Sequence, residues 1–176
     1  IILFVGRLNK SKGYDIFGKA VINVLNKFHD WKAIVIGDEP REQLIFKHKN
    51  LKILGFQKYN IVSNWFIKSN ISVVCSRWQE PFGRTALEAS SAGCAVIITN
   101  RGGLPEASPK ALKVKNLTTK NVENSIIKLI RNNDFRKSLQ RKIYKNFHLT
   151  NIYISKKIDN YRYNLIKTLF YSVHYF

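Results

Sequence analysis

The sequence has little acidic charge, little cysteine and no long apolar run. Only 11 of its 176 residues are acidic, against 30 basic ones, which gives a formal net charge of +19. Its longest apolar runs are about five residues, far short of the roughly 18 that suggest a transmembrane helix. Any membrane contact would therefore be peripheral. The two cysteines, Cys75 and Cys94, lie in apolar stretches without a partner at metal-ligand spacing, so we expect buried, reduced thiols.

The chain also lacks an initiator methionine and a signal peptide. It begins at Ile1, already inside a strand-like apolar run, so we expect a fragment of a longer protein. Half of the basic residues but only three of the acidic ones follow residue 109, so the positive charge is concentrated late in the chain. Nucleic acid, an anionic membrane surface and a merely lysine-rich composition are all compatible with this charge.

Short apolar runs alternate with helix-like segments up to about residue 115. Because the runs are apolar on both faces, they are typical of parallel strands covered by helices on both sides. This cadence predicts an α/β fold with a doubly wound parallel sheet, Rossmann-like, over residues 1–150, followed by a helical tail over 151–176. The predicted strands are "IILFV" (1–5), "KAIVIG" (32–37), "LKILG" (51–55), "ISVVCS" (71–76), "AVIIT" (95–99) and "ALKVK" (111–115).

The segments between and after the strands predict helices. Ile61, Trp65 and Ile67 have helical spacing between the third and fourth strands. After residue 115 the chain is predicted to form two or three helices, with Thr118 or Thr119 and Asn133 as N-caps.

The first candidate site stretch follows the first strand. In open parallel sheets, ligands bind beyond the carboxyl ends of the strands. Gly6 turns the backbone there, and Arg7 and Lys12 follow in the loop. Two cations at this place suit a diphosphate, because each can pair with a different phosphoryl group. An ordinary solvated loop is the alternative, and the stretch matches neither familiar glycine-rich nucleotide motif.

The second stretch, "EPFGRTALE" from Glu80 to Glu88, predicts a loop that enters a helix near Gly83 or Arg84. The first turn of such a helix offers free N–H groups and the positive end of the helix dipole to an anion. A carboxylate at Glu88 can accept hydrogen bonds from a ribose diol, and Glu80 would lie on the other side of the phosphates. Surface glutamates are the alternative. A glycine loop, "NRGGLPE", follows the next strand at the same sheet edge.

These stretches resemble the C-terminal, nucleotide-binding half of retaining glycosyltransferases of family 4, which have the two-domain GT-B fold. The residues that carry the resemblance are "GRLNKSKGYDIF" and "EPFGRTALEASSAGCAVIITNRGGLPE", and it covers about residues 1–150. The resemblance implies transfer of a hexose-type sugar from a nucleoside-diphosphate sugar to a lipid-linked or cell-envelope glycan acceptor, as in polysaccharide or lipopolysaccharide biosynthesis. It implies no cofactor and no metal, in agreement with the absence of an Asp-x-Asp pair.

The resemblance also assigns roles to individual residues. Arg7 and Lys12 would hold the donor diphosphate, Glu80 the transferred sugar and Glu88 the ribose hydroxyls. Glu80, Arg7 and Lys12 are thus the expected catalytic residues. The whole expected donor-binding set is Gly6, Arg7, Lys12, Glu80, Phe82, Gly83, Arg84, Thr85 and Glu88.

Two departures from the family pattern qualify these expectations. Cys75 stands where many members have proline, a change at a strand end that should leave the site intact. The resemblance also implies an N-terminal, acceptor-binding domain, which we expect to be missing from these 176 residues, so we expect the isolated chain to be inactive or weakly active. The expected location is the cytoplasm, peripheral on the inner face of an anionic membrane. A nucleotide-sugar epimerase of the same architecture and a basic nucleic-acid-binding module are the alternatives, and no nucleic-acid partner is expected.

Overall fold

The computed structural model describes residues 1–173, and the chain divides into two compact units, residues 1–146 and 147–176. The helical tail predicted over 151–176 includes residues 174–176, which lie outside the described residues. The strands are β1 (Ile2–Val5), β2 (Ala33–Ile36), β3 (Leu51–Ile53), β4 (Ile71–Val74), β5 (Ala95–Thr99) and β6 (Leu112–Val114). The helices are α1 (Tyr14–Leu25), α2 (Tyr59–Lys68), α3 (Arg84–Ser91), α4 (Leu104–Ala107), α5 (Thr119–Arg131), α6 (Asn133–Lys145) and α7 (Asn151–Val173).

The six strands form one parallel sheet in the order β3-β2-β1-β4-β5-β6, which confirms the predicted α/β, Rossmann-like fold. Strands β2, β4 and β5 are buried along their whole length, as continuous apolar runs require. The prediction was wrong for β3, where Lys52 and Ile53 are exposed. This strand is an edge of the sheet, so fewer neighbours cover it.

The helices agree with the predicted segments but differ in detail. Thr118 caps α5 as predicted, by accepting a hydrogen bond from the Asn121 N–H at 3.2 Å. The cap of α6 is Asn132 and not Asn133, because the Asn132 side chain accepts the Phe135 N–H at 2.8 Å. In α2 the predicted apolar positions were also shifted. The buried residues are Val62 and Phe66, whereas Ile67 is exposed.

The order of the strands in the sheet determines where a binding site can form. The chain runs outward from β1 through β2 to β3, then crosses back to β4 on the other side of β1. Because β1 and β4 are neighbours and the chain leaves them in opposite directions, the loops that follow them leave a crevice between them at the carboxyl edge of the sheet.

The second unit contains α7, whose side chains are exposed from its start to Thr168. None of the helices within residues 1–173 is both long and apolar enough to cross a bilayer.

Candidate functional site

Two cavities lie at the carboxyl edge of the sheet, where β1 and β4 are neighbours. The first has a volume of about 340 Å³ and the second about 620 Å³. They adjoin one another, because Val5, Gly6, Arg84 and Thr85 line both. All nine residues of the predicted donor-binding set line these cavities. Lys12, Glu80, Phe82 and Gly83 line the first, Arg7 and Glu88 line the second, and Gly6, Arg84 and Thr85 are shared.

The floor between the cavities is backbone without side chains. Gly6 has a φ of 149°, and a Cβ built on it would meet no protein atom within 4 Å. Gly37, at the end of β2, lies directly beneath, since a Cβ there would be 1.9 Å from the Gly6 carbonyl oxygen. The absence of both side chains lets the β1 and β2 ends approach each other and leaves the Gly6 backbone open to a ligand.

The loop after β1 presents Lys12 to the first cavity. Asn9 organises this loop, because its side-chain oxygen accepts the Ser11 hydroxyl at 2.8 Å and the Lys12 N–H at 3.0 Å. The Lys12 ammonium then donates to the Glu80 carboxylate at 2.6 Å across the cavity. Glu80 is largely buried in this arrangement, with 13% of its side chain exposed. The structure thus brings two of the three predicted catalytic residues into direct contact.

Arg7 lies apart from that pair. It is exposed and lines the second cavity, and within residues 1–173 no ion pair is recorded for its guanidinium. It is therefore available to an anionic ligand without breaking an internal contact.

The glycine loop after β5 holds the backbone of Glu80. The Gly103 N–H donates to the Glu80 carbonyl at 2.6 Å, and the Gly102 N–H donates to the Gln79 side chain at 2.6 Å. A Cβ on Gly102 would lie 2.2 Å from the same Glu80 carbonyl oxygen. The glycine loop predicted at this sheet edge is thus a packing surface for the loop that carries Glu80.

Helix α3 begins at the boundary of the two cavities. Its N-cap, Gly83, has a φ of 78° and no side chain caps the helix. The N–H groups of the first turn have no partner within the helix, so they and the helix dipole favour an anion there. A Cβ on Gly83 would also lie 2.9 Å from a Leu104 methyl group, so packing as well as backbone conformation selects glycine.

Glu88 lies one turn further along α3, as the sequence predicts. Its carboxylate is 3.6 Å from the Arg84 guanidinium, so it points back towards the helix N-terminus. Burial raises the pKa of the Glu88 carboxyl, and the neighbouring Arg84 only partly offsets this effect. A carboxyl group that lies at the wall of a cavity and has a perturbed pKa is typical of a functional site.

The far end of the second cavity is formed by the loop after β3 and the start of α2. Phe56, Gln57, Tyr59 and Asp38 line it, and the two aromatic side chains are largely exposed. Asp38, on the loop after β2, was not among the predicted site residues. Among residues 1–173 there is no group of three or more His, Cys, Asp or Glu side chains that could hold a metal ion.

Several residues that shape the site were missed in the sequence. Asp15, in the first turn of α1, and Arg77 and Gln79, on the loop after β4, act through contacts between segments far apart in the chain, for which local sequence gives no signal. Asn9 was detectable in principle, because asparagine that accepts from the backbone two or three residues later is a common turn motif.

Comparison with known proteins agrees with this geometry. The sequence model described as "Glycosyl transferases group 1" matches residues 1–146. Spore coat protein SA of Bacillus subtilis is 36% identical over 119 residues, which are 60% of this chain and 32% of that protein. The C-terminal domain of a glycosyl transferase group 1 family protein (LpcC) from Francisella tularensis has a TM-score of 0.74 and 28% identity. That match covers 85% of this chain and 87% of the solved one.

A more distant structure shares the fold alone. HepE of Anabaena, solved with UDP and glucose, has a TM-score of 0.70 at 20% identity, covering 90% of this chain and 48% of that one. The region matched in spore coat protein SA is about a third of that protein's length, so the chain corresponds to part of such relatives. Because the family match extends over most of the chain, including every residue of the two cavities, the chain belongs to the group 1 glycosyl transferases.

Proposed function

We propose that this chain is the donor-binding half of a glycosyltransferase that uses a nucleoside-diphosphate sugar. The observation that carries the proposal is the pair of adjoining cavities, which meet at Gly6 and the N-terminus of α3 and have a carboxylate in each, Glu80 and Glu88. A nucleotide sugar has the matching layout, with a diphosphate between two polyhydroxylated rings. HepE, with UDP and glucose bound to the same fold, supports this choice of ligand.

In this proposal the diphosphate lies over the shared floor of the cavities. Arg7, Lys12 and the first-turn amides of α3 would bind its oxygens, and Gly6 lets the ligand approach the backbone. When the bond between the sugar carbon and the diphosphate breaks, negative charge grows on the departing phosphate. Fixed cations and amide dipoles stabilise that charge most where water is excluded. These groups supply the stabilisation from the chain itself, without a metal, which is the basis for proposing a metal-independent transfer.

The two carboxylates would bind the two sugars. Glu88, in the second cavity, would accept hydrogen bonds from the ribose hydroxyls, and Phe56, Gln57 and Tyr59 then lie near the base. Glu80, in the first cavity, would accept hydrogen bonds from the transferred hexose and fix its orientation. Phe82, Gly83 and Thr85 complete the wall beside the sugar and phosphates. We propose retention of the anomeric configuration on the resemblance to family 4.

The acceptor, the location and the partner domain follow from the same resemblance. We propose a glycan or lipid-linked acceptor of the cell envelope, bound with the help of an N-terminal domain. We also propose a cytoplasmic location, with the basic surface resting on an anionic membrane. The tail supports the last point, because exposed α7 has four basic residues, Lys156, Lys157, Arg162 and Lys167, and one acidic residue up to Thr168. Each such cation contributes about 1 kcal/mol near an anionic surface.

Calorimetric titration with UDP-, GDP- and ADP-sugars tests the donor assignment. One nucleotide class should bind, and Arg7→Met and Glu88→Gln should each weaken binding while the thermal midpoint stays close to that of the unsubstituted chain. Arg141→Met and Glu106→Gln are matched controls, since neither residue lines either of the two donor-site cavities. If no nucleotide sugar binds at millimolar concentration to the folded chain, the proposal is wrong for this chain. Product analysis after rejoining the partner domain distinguishes transfer from epimerisation.

A further inference from the structure

Arg77 lies outside the two cavities yet contacts the loop that carries Lys12. Its guanidinium donates to both carboxylate oxygens of Asp15, Nη1 to Oδ1 at 2.6 Å and Nη2 to Oδ2 at 2.8 Å. The same Nη1 also donates to the Lys10 carbonyl oxygen. A planar guanidinium that meets a carboxylate with two parallel hydrogen bonds fixes orientation as well as distance. The loops after β1 and β4 are thus joined by a side-chain clasp.

The backbone on both sides of the clasp is joined as well. The Ser11 carbonyl accepts three hydrogen bonds, from the Arg77 N–H at 2.8 Å, the Trp78 N–H at 3.2 Å and the Ser76 hydroxyl at 3.1 Å. Next to it, a Cβ on Gly13 would lie 2.0 Å from the Cys75 carbonyl oxygen, so the backbones of these two segments are in contact there. Lys12 lies between these two points and has little freedom to shift along the β4 loop.

The clasp lies close in the chain to both members of the ion pair of the first cavity. Glu80 follows Arg77 by three residues, Lys10 precedes Lys12 by two, and Ser11 and Gly13 beside Lys12 are held by contacts with residues 75–78. The 2.6 Å contact between Lys12 and Glu80 is therefore set by how the two loops are joined. Asp15 is well placed for this purpose. Burial raises the pKa of its carboxyl, but the hydrogen bonds and the charge of Arg77, together with backbone N–H groups, hold the pKa below its usual value.

We propose that Arg77, oriented by Asp15, is a positioning residue that holds Lys12 where it meets the donor diphosphate. The proposal rests on the proposed function, because it concerns the same site. Arg77 does not touch the donor in this arrangement. Its contribution passes through Lys12, so removing Lys12 must also remove the effect of Arg77. A residue that only supports the fold would not show this dependence.

The test is a double-substitution cycle in the 176-residue chain, with affinity measured by calorimetry. The probes are UDP, GDP and ADP, each beside its nucleoside, and the nucleotide that binds best is carried forward. Arg77→Gln and Asp15→Asn should each weaken nucleoside-diphosphate binding by about threefold or more, which exceeds the roughly twofold scatter of independent sites. Nucleoside binding should not change. In a Lys12→Met background, Arg77→Gln should cause no further loss.

Two further variants complete the design. Arg77→Lys should recover only part of the affinity, because an ammonium cannot reproduce the two parallel hydrogen bonds. Arg141→Gln removes the same charge on α6, away from both cavities, and should leave affinity unchanged. If Arg77→Gln does not fold, the cycle is run with Asp15→Asn, which keeps the shape of the side chain.

The outcomes separate the two proposals. If the chain binds a nucleoside diphosphate and the losses from Arg77→Gln and Lys12→Met simply add, Arg77 does not act through Lys12 and this inference is overturned alone. An equal loss for nucleoside and nucleotide also overturns it, because a general loosening of the fold then explains the effect. If the unsubstituted chain binds no nucleotide, the proposed function fails and the inference fails with it.

Discussion

Alanine substitution of Gly102 tests whether the glycine loop sets the position of Glu80. Gly102 has a φ of 52°, in the left-handed region, and a Cβ there would lie 2.2 Å from the Glu80 carbonyl oxygen. Atoms that close must move apart. The neighbouring hydrogen bond, from the Gly103 N–H to the same oxygen at 2.6 Å, leaves little room for that movement. The substitution therefore combines a backbone cost with a steric one.

Gly55 is a matched control for the backbone cost. Its φ is 67°, and a Cβ on it would meet no atom within 4 Å. A left-handed alanine costs about 1–2 kcal/mol at either position, and overpacking adds typically about 1–3 kcal/mol. We therefore expect Gly55→Ala to lower the free energy of unfolding by about 1–2 kcal/mol. Gly102→Ala should lower it by about 2–5 kcal/mol.

The assay has two parts, urea unfolding of both variants and calorimetric titration with a nucleotide sugar and its nucleoside diphosphate. Because the clash falls on the backbone of Glu80, Gly102→Ala should weaken binding of the nucleotide sugar more than that of the nucleoside diphosphate. Gly55→Ala should change both affinities equally or not at all. Equal unfolding costs for the two variants would refute the steric argument, and unchanged selectivity for the sugar would refute the link to Glu80.

Three further predictions concern single titratable groups. Hydrogen bonding from Lys27 lowers the pKa of Glu123, which is only 3% exposed. Glu123→Gln should therefore cost about 1.5–3 kcal/mol at neutral pH, and urea unfolding should show that cost shrinking as pH falls below 4.5. Burial raises the pKa of Glu88, so its favourable contribution exists below 4.5 and is lost as pH rises through the folded pKa. Glu88→Gln should then gain stability relative to the unsubstituted chain as pH rises to neutral in the same assay. Burial raises the pKa of Cys75 and Cys94 to about 12, so a disulfide reagent at mildly alkaline pH should label them only after unfolding.

The sheet was predictable from the sequence because each central strand is a continuous apolar run that must be covered on both faces. "AVIIT" predicted β5 without error, from Ala95 to Thr99. The edge strand β3 was less predictable, since "LKILG" is equally apolar but only its position in the sheet decides how much of it is covered. Strand order is a tertiary property, and no local pattern encodes it.

The candidate site was predictable for a different reason. Parallel strands end at the same edge, so any polar residues that follow them share that edge, and Lys12 and Glu80 were expected there separately. Their contact at 2.6 Å was not predictable, because it depends on how two segments 68 residues apart in the chain pack together. The clasp uses Arg77 and Asp15, whose residue types are common on solvated loops and carry no signal of their own.

Two roles are proposed in the first cavity, phosphate binding by Lys12 and sugar binding by Glu80. The ion pair between these two residues links the two roles. Phe4, Val5 and Val74 make the cavity floor apolar, so either charge alone would lose hydration there without compensation. Pairing removes that cost in the ligand-free protein. A diphosphate carries more negative charge than the Glu80 carboxylate, so Lys12 would bind the diphosphate in preference to Glu80. The Glu80 carboxylate would then need new hydrogen-bond donors. In the proposed complex, the hydroxyls of the attached sugar would supply them. Phosphate and sugar binding would thus favour each other, and a nucleoside diphosphate without its sugar would leave Glu80 unsatisfied.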